Sequence, residues 1–282
     1  MVSAGPSLTP EQLRALLAVL ARGGHDLRDY RVETLRRRTL DRLQEVALGP
    51  ADYLARLADD EAEQRRLAAH LLVHTTRFFR DPATFAALGR RVLPELFLRA
   101  RERRAPLRAW VVGASTGEEA YSLAMLLAEQ GRTHRHPASV LASDRVAQVV
   151  EQARLGTYPR AAVVAAVPAE LRARYFVPRG DGLQVVQALR EAVTFAVHDL
   201  LGLELAPREA LLAEFDLVLC RNVLIYLDAR SQVRAFERLR AVLSAGGALL
   251  LGSSEEPHAG SGFTPYRGVD EAHRLYGATE AA

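Results

Sequence analysis

Two adjacent carboxylates, Glu118 and Glu119, stand directly behind the small-residue run Gly113-Ala114-Ser115-Thr116-Gly117, and that run follows the apolar stretch Trp110-Val111-Val112. The order reads as a strand entering a glycine loop that opens a helix. Such a loop lets backbone pass close to a ligand, and a helix N-terminus offers free N–H groups. Many α/β proteins hold an adenosine-containing cofactor this way. The doubled glutamate is at odds with a pyrophosphate: anions at a helix start favour its dipole but repel phosphate. They suit a ligand that is cationic or that offers hydroxyls. Glu118 is the expected contact, and Glu119 reads as a helix-start charge.

Four further segments carry chemistry. Val140-Leu141-Ala142-Ser143-Asp144 ends an apolar strand on a carboxylate, which can accept from both hydroxyls of a ribose or cap the next helix, and both can hold at once. Phe215 to Cys220 is an apolar run of the kind a buried parallel strand needs, and Arg221-Asn222 follow where open α/β sheets place ligands. Tyr226 fits a substrate-facing ring and a buried, satisfied aromatic equally well. Cys220 reads as a small buried hydrophobe, because no histidine stands near it in sequence. Thr75-Thr76-Arg77-Phe78-Phe79-Arg80-Asp81 lies at a domain junction, with Phe78 and Phe79 as packing and Arg80 as either a surface charge or a carboxylate clamp. Arg31, Arg38 and Arg42 share one face of a helix, either as a solvated face or as a dock for an acidic partner.

The elements that must position these residues follow from periodicity. Residues 1 to 78 read as helical. Thr9-Pro10 opens the first helix and Gly23-Gly24 closes it; further helices cover about 30–47, 50 onward and 60–74. One helix is expected over 83–103. Strands and helices then alternate: 107–112, 118–129, 139–142, 147–154, 215–220, 231–243 and 248–251, with a closing antiparallel hairpin near 262–264 and 272–276. Alternation means a parallel sheet with helices on both faces. Residues 157–196 interrupt it and read as an inserted antiparallel β-subdomain, with a helix at 168–175, a turn at Pro178 to Gly182, and strands at 183–187 and 193–197.

Composition sets the limits. The chain has 282 residues, 49% of them hydrophobic and 25% charged, with a net charge of +3, ordinary for a globular protein. That small excess argues against nucleic-acid binding. All 37 basic residues are arginine. One cysteine excludes an internal disulfide and a multi-cysteine zinc site. No apolar run spans a bilayer and no signal-peptide pattern opens the chain, so a cytoplasmic location is expected.

Five segments together, Thr76 to Arg80, Gly113 to Ser122, Ala142 to Asp144, Cys220 to Tyr226, and Gly252, Ser254 and Glu255, resemble the chemotaxis receptor methyltransferases. The resemblance covers nearly the whole chain. It implies a Rossmann-like class I methyltransferase sheet over 79–282, carrying the inserted β-subdomain, behind a helical N-terminal domain, 1–78, that docks on the receptor. It implies S-adenosylmethionine as cofactor, S-adenosylhomocysteine as product and no metal, with methyl transferred to receptor glutamates. His74, Thr76, Arg80, Gly113, Glu118, Asp144, Asp199, Leu200, Arg221 and Asn222 would bind the cofactor, and Arg80 and Tyr226 would lie near the transferred methyl. Arg31, Arg38 and Arg42 would face the receptor. His74 stands where the family often has asparagine, Asp199-Leu200 where it has Asn-Leu, and Ala120 where it has proline.

The implied partner is the cytoplasmic helical domain of membrane chemoreceptors, to which a monomeric enzyme is transiently recruited, with no nucleic acid and no membrane insertion. The short turn around Arg179 to Gly182 points to independence from a receptor tail peptide. A carboxylate is already nucleophilic at neutral pH, which agrees with the lack of a Ser-His-Asp or Cys-His pattern. A dinucleotide oxidoreductase is disfavoured by Glu118-Glu119 and a missing third glycine. A non-catalytic cofactor-binding scaffold is disfavoured by Arg80, Asn222 and Tyr226.

Overall fold

The computed structural model describes residues 7–72, 75–210, 212 and 214–279. The chain divides into two compact units: residues up to 74 with Tyr226–Ser231, and Thr75–Ile225 with Gln232 onward. This division falls four residues before the expected boundary after 78. The reason lies in Phe78, whose ring meets Tyr158 and Phe176 edge-on at centroid distances of 4.8 and 5.6 Å, both within the second unit.

The first unit contains α1 (Pro10–Arg22), α2 (Val32–Glu45), α3 (Pro50–Asp59) and α4 (Glu61–Leu71). Helices α1 and α4 start where the sequence supplies side-chain caps. Thr9 and Gln12 form a reciprocal capping box ahead of α1, and Asp60 accepts from the Glu63 N–H ahead of α4. Leu13, Leu16, Leu20, Leu35, Leu43, Tyr53, Leu57 and Leu67 fill the core.

One charge sits inside that core. Glu63 is 0% exposed and accepts from Tyr53 Oη at 2.7 Å and from Arg42 Nε and Nη2 at 3.0 and 2.7 Å. Arg66 adds a contact at 3.2 Å. Burial opposes ionisation of this carboxyl, but the bonds from Tyr53, Arg42 and Arg66 outweigh burial and hold its pKa below the usual glutamate value.

The second unit opens with α5 (Pro82–Ala87), a π-helical turn (Leu88–Val92) and α6 (Leu93–Glu102), where one continuous helix was expected. In chain order there follow β1 (Leu107–Val112), α7 (Glu118–His134), β2 (Ala138–Asp144), α8 (Ala147–Leu155), β3 (Thr157–Pro159), α9 (Arg160–Ala166), α10 (Ala169–Tyr175), β4 (Phe176–Arg179), β5 (Gly182–Val185), α11 (Gln187–Glu191), β6 (Val193–Val197), β7 (Phe215–Cys220), α12 (Ala229–Ala241), β8 (Leu243–Leu251), β9 (Phe263–Pro265) and β10 (Leu275–Ala278).

The main sheet runs β6-β2-β1-β7-β8-β10-β9. The first five strands are parallel, and β10 runs antiparallel to both β8 and β9. This is the expected Rossmann-like sheet, closed by an antiparallel pair. Its strand order reverses about β1, so β1, β2 and β7 end side by side at the edge where such sheets bind ligands. Strand β7 is buried along its whole length, as a central parallel strand must be.

The inserted subdomain is smaller than expected. A separate three-stranded antiparallel sheet, β3-β5-β4, occupies 157–185. Val193–Val197 is not part of it; this strand pairs in parallel with β2 as the edge of the main sheet. Its partial alternation of buried and exposed residues suits an edge strand of either sheet, so pattern alone did not assign it.

Glu63→Gln leaves Arg42 facing a neutral amide in a buried setting. It is expected to cost about 3 kcal/mol or more, read as a lower urea midpoint of the helical signal. Because the native pKa of Glu63 is depressed, its contribution is present at neutral pH and lost as pH falls below the ordinary glutamate range. The gap between wild type and variant should therefore close in acid.

Candidate functional site

At the C-terminal edge of the main sheet, the segments after β1, β2, β6, β7 and β8 carry polar groups. After β1, Gly113 takes φ +68°, and a Cβ there would lie 2.5 Å from Val223 Cγ2, so only glycine permits this crossing. Ser115 follows at φ +50°. Its N–H donates to Asp144 Oδ2 at 2.9 Å, and the Val146 N–H donates to Asp144 Oδ1 at 3.0 Å. Asp144 thus ties the loop after β1 to the end of β2. It does not cap α8, whose N-cap, Val146, has no side-chain bond.

Glu118 opens α7 and is partly buried. Its Oε2 accepts from Thr116 Oγ1 at 2.6 Å, and no cation pairs with it among the described residues. Burial raises its pKa, with the Thr116 bond opposing. A desolvated carboxylate without a counter-cation is a place where a cationic ligand gains most.

Glu119 is more than a helix-start charge. It is buried, and its Oε2 lies 2.6 Å from Arg221 Nη1. Burial raises its pKa and the guanidinium opposes that rise. The Arg221 side chain is 1% exposed. It also donates to the Arg80 carbonyl at 3.2 Å and to the Asp81 carboxylate. The fork of Arg221, a residue expected among the cofactor contacts, is committed to protein acceptors that join β7, α7 and the segment before α5.

That segment is set in place at several points. Phe79 and Asp81 adopt φ +45° and +59°. The Phe79 N–H donates to Ser122 Oγ at 2.9 Å, and Ser122 Oγ donates to the Glu118 carbonyl at 2.6 Å. Arg80 Nη1 donates to the Thr75 carbonyl at 3.3 Å, which leaves other guanidinium nitrogens to reach a ligand. Thr76 is partly exposed. His74 lies outside the described residues. Asp199 stands just past β6, where its Oδ1 accepts from the Leu201 N–H and its Oδ2 lies 3.4 Å from Arg145; Leu200 is buried. Cys220 is fully buried and its thiol is pushed well above the usual range by burial, which removes it as a nucleophile.

After β7, Asn222 takes φ +58° and is partly exposed. The loop it sits on is gripped by Glu255, a residue of the fifth motif to which the sequence had attached no role. Only the three-dimensional pairing reveals its partners. Tyr226 is the last residue of a 3-10 turn, Leu224–Tyr226, and groups with the helical unit, where its carbonyl accepts from the Arg31 N–H.

The three arginines of the expected receptor dock differ in what they already hold. Arg42 is neutralised by Glu63 and Glu45, and Arg38 Nε donates to the His70 carbonyl at 2.6 Å. Arg31, at the N-cap, donates through Nε to the Leu227 carbonyl and is otherwise exposed, as are Arg36 and Arg37. No helix among the described residues is long and apolar enough to cross a membrane.

A family model described as "CheR methyltransferase, SAM binding domain" matches residues 74–263. Chemotaxis protein methyltransferase 2 of Pseudomonas aeruginosa is 34% identical over 237 residues, covering 82% of this chain and 81% of that protein. The chemotaxis protein methyltransferase of Listeria monocytogenes is 29% identical over 254 residues, covering 89% and 92%. An uncharacterized 104.1 kDa protein of Rhodobacter capsulatus is 34% identical over 250 residues, and this chain spans 25% of its length. Among solved structures, the N-methyltransferase NodS of Bradyrhizobium japonicum, in complex with S-adenosyl-L-homocysteine, aligns with a TM-score of 0.34 at 16% identity, over 67% of this chain and 85% of that one.

Arg221→Met strands the buried Glu119 carboxylate. The variant is expected to lose about 3–5 kcal/mol in denaturant titration, and adding Glu119→Gln should recover part of that loss.

Proposed function

The chain belongs to the CheR methyltransferase family, and on that premise we propose that it transfers the methyl group of S-adenosylmethionine to glutamate side chains of membrane chemoreceptors, forming glutamyl methyl esters and S-adenosylhomocysteine. The observation that carries this reading is the family match over residues 74–263, whose motif residues Gly113, Asp144, Asn222 and Gly252 lie at the C-terminal ends of neighbouring parallel strands.

The residues fit the cofactor. Glu118 offers a partly buried carboxylate that no cation of the described protein neutralises, and Asp144 offers a second at the end of β2, each of its oxygens already held by one backbone N–H. Between them, these two carboxylates would hold the cationic amino-acid end and the ribose. Thr76, Asn222, Asp199, Leu200 and, from the family pattern, His74 complete the contact set, with Gly113 giving backbone approach. When bound, S-adenosylmethionine supplies an electrophilic sulfonium methyl for in-line displacement: an O–CH3 bond forms as the S–CH3 bond breaks, and its electron pair stays on sulfur.

The protein's part is positioning. Arg80 orients the incoming carboxylate. Binding that anion tightly would stabilise the ground state as much as the transition state, so its role is orientation. Tyr226 aligns the methyl. Arg221 keeps Arg80 in place by holding the Arg80 carbonyl and the Asp81 carboxylate. No general base is needed, since the nucleophile is ionised at neutral pH. The helical unit docks on an acidic receptor face through Arg31 and its exposed neighbours on α2. The two-residue hairpin tip between β4 and β5, Gly180-Asp181, favours independence from a receptor tail peptide.

Incubation with methyl-labelled S-adenosylmethionine and membranes from the source organism is expected to give base-labile label on a membrane receptor. Label on RNA, or none, overturns the reading. In the same assay Arg80→Ala should lower transfer by about 100-fold; unchanged transfer with unchanged cofactor affinity removes Arg80 from the mechanism.

Glu118→Gln should weaken cofactor binding by about tenfold or more, the loss of one charge-assisted contact. Glu118 must be ionised to attract a cation and its pKa is raised. Wild-type affinity should therefore fall as pH drops toward the upper edge of the carboxylate range, while the variant stays flat. A calorimetric pH series on both proteins checks this.

A further inference from the structure

Glu255 is 3% exposed, yet among the described residues no cation pairs with it. Its carboxylate collects backbone N–H groups instead. Oε2 accepts from Gly252 at 2.7 Å and from Asn222 at 2.8 Å, and Oε1 accepts from Leu224 at 2.7 Å and from Ile225 at 3.2 Å. One side chain just past β8 therefore binds the Asn222 N–H, two N–H groups of the loop beyond it and the Gly252 N–H. An ionised carboxylate has acceptor sites for all four; a glutamine in its place offers one acceptor oxygen and turns a donor toward the rest.

The loop needs such a hold. Asn222 sits at φ +58°, a left-handed conformation that persists in a non-glycine residue only where the surroundings over-determine it. The opposing strand is shaped to the same contact. A Cβ on Gly252 would lie 2.8 Å from the Asn222 nitrogen, 2.8 Å from Glu255 Oε2 and 2.9 Å from Asn222 Nδ2. Glycine at 252 and glutamate at 255 thus serve one arrangement, whose outcome is the direction of the Asn222 amide.

We propose that Glu255 is a positioning residue that acts through these four N–H groups to set the loop after β7 and so aim Asn222 at the cofactor, an inference that rests on the methyl-transfer reading above. A role in overall stability alone would lower the melting temperature without coupling to Asn222. The two are separated by a double-mutant cycle.

The test compares full-length wild type, Glu255→Gln, Asn222→Gly and the double variant. S-adenosylhomocysteine binding is measured by calorimetry and amide hydrogen exchange on the ligand-free proteins. Glu255→Gln should speed exchange at Asn222, Leu224, Ile225 and Gly252, leave β1 and β7 protected, and weaken binding about tenfold. Asn222→Gly, which tolerates the left-handed backbone, should weaken binding similarly while the remaining loop amides stay protected. In that background Glu255→Gln should add less than about twofold. Unchanged exchange and affinity in Glu255→Gln, or fully additive losses, overturn the proposal. If Glu255→Gln does not fold, Gly252→Ala disturbs the same contact from the opposite side and carries the same expectations. A wild type that binds no S-adenosylhomocysteine defeats the methyl-transfer reading, and the aim of Asn222 with it; exchange still decides whether Glu255 holds the loop.

Discussion

A single buried guanidinium holds the ligand-facing edge together. Arg221 follows the central strand β7, and its fork reaches the first turn of α7 through Glu119 and the segment before α5 through Asp81 and the Arg80 carbonyl. Three stretches far apart in sequence are brought into one register by one side chain. Arginine suits the task because its planar fork serves several acceptors at fixed angles and never loses its charge. Removing a charge from water is costly, and the cost is tolerable here only because two carboxylates and a carbonyl face it at close range. The pair is also self-screening: Glu119 meets Arg221 instead of facing the ligand space, so Glu118 is left as the carboxylate of the first turn that a ligand can use.

Around this tie the backbone is repeatedly left-handed without glycine. Phe79, Asp81, Ser115 and Asn222 all take positive φ, and each lies on a loop that the motif residues occupy. Conformations of this kind are maintained by their neighbours and not by their own preference. The neighbours are identifiable. Ser122 receives the Phe79 N–H, Asp144 receives the Ser115 N–H, and Glu255 receives the Asn222 N–H. A carboxylate or hydroxyl from another segment thus fixes each strained loop, which is the arrangement a site dependent on orientation requires.

Much of the frame was legible because local signals and tertiary fold agree. Thr9-Pro10 and Gly23 bound α1 as read, and β1 and β7 match their apolar runs residue for residue. The clustering of Gly113, Asp144 and Asn222 at one edge followed from the rule that parallel sheets bind ligands past their strand ends. The misses are of another kind. Helix α7 runs on to His134 past the expected end at Glu129; Gly131 sits inside it as a close-approach residue, where a Cβ would lie 3.0 Å from the His136 carbonyl oxygen, and not as a stop. Strand β6 joins the main sheet because its hydrogen-bond partner is β2, a fact no local pattern holds. The roles of Glu119, Arg221 and Glu255 depend on partners more than thirty or a hundred positions away. The arginines of α2 looked like a dock because charge is visible in sequence, whereas the buried Glu63 that occupies Arg42 is recognisable only once the helices are packed.

The small β3-β5-β4 sheet has a packed root and an open tip. On its inner side Tyr158 and Phe176 hold the ring of Phe78, and Tyr158 Oη donates to the Thr116 carbonyl at 2.8 Å, in the loop that opens α7. Any change there would be felt at Glu118 two residues on. At its outer end, Val177 to Asp181 is exposed, and Gly180 has no atom near the place a side chain would take. Residues at such a tip are free to lengthen, shorten or change character between lineages. The hairpin tip can therefore change length and character without disturbing a packed neighbour, whereas a change at its root reaches the loop that opens α7 through the Tyr158 hydroxyl.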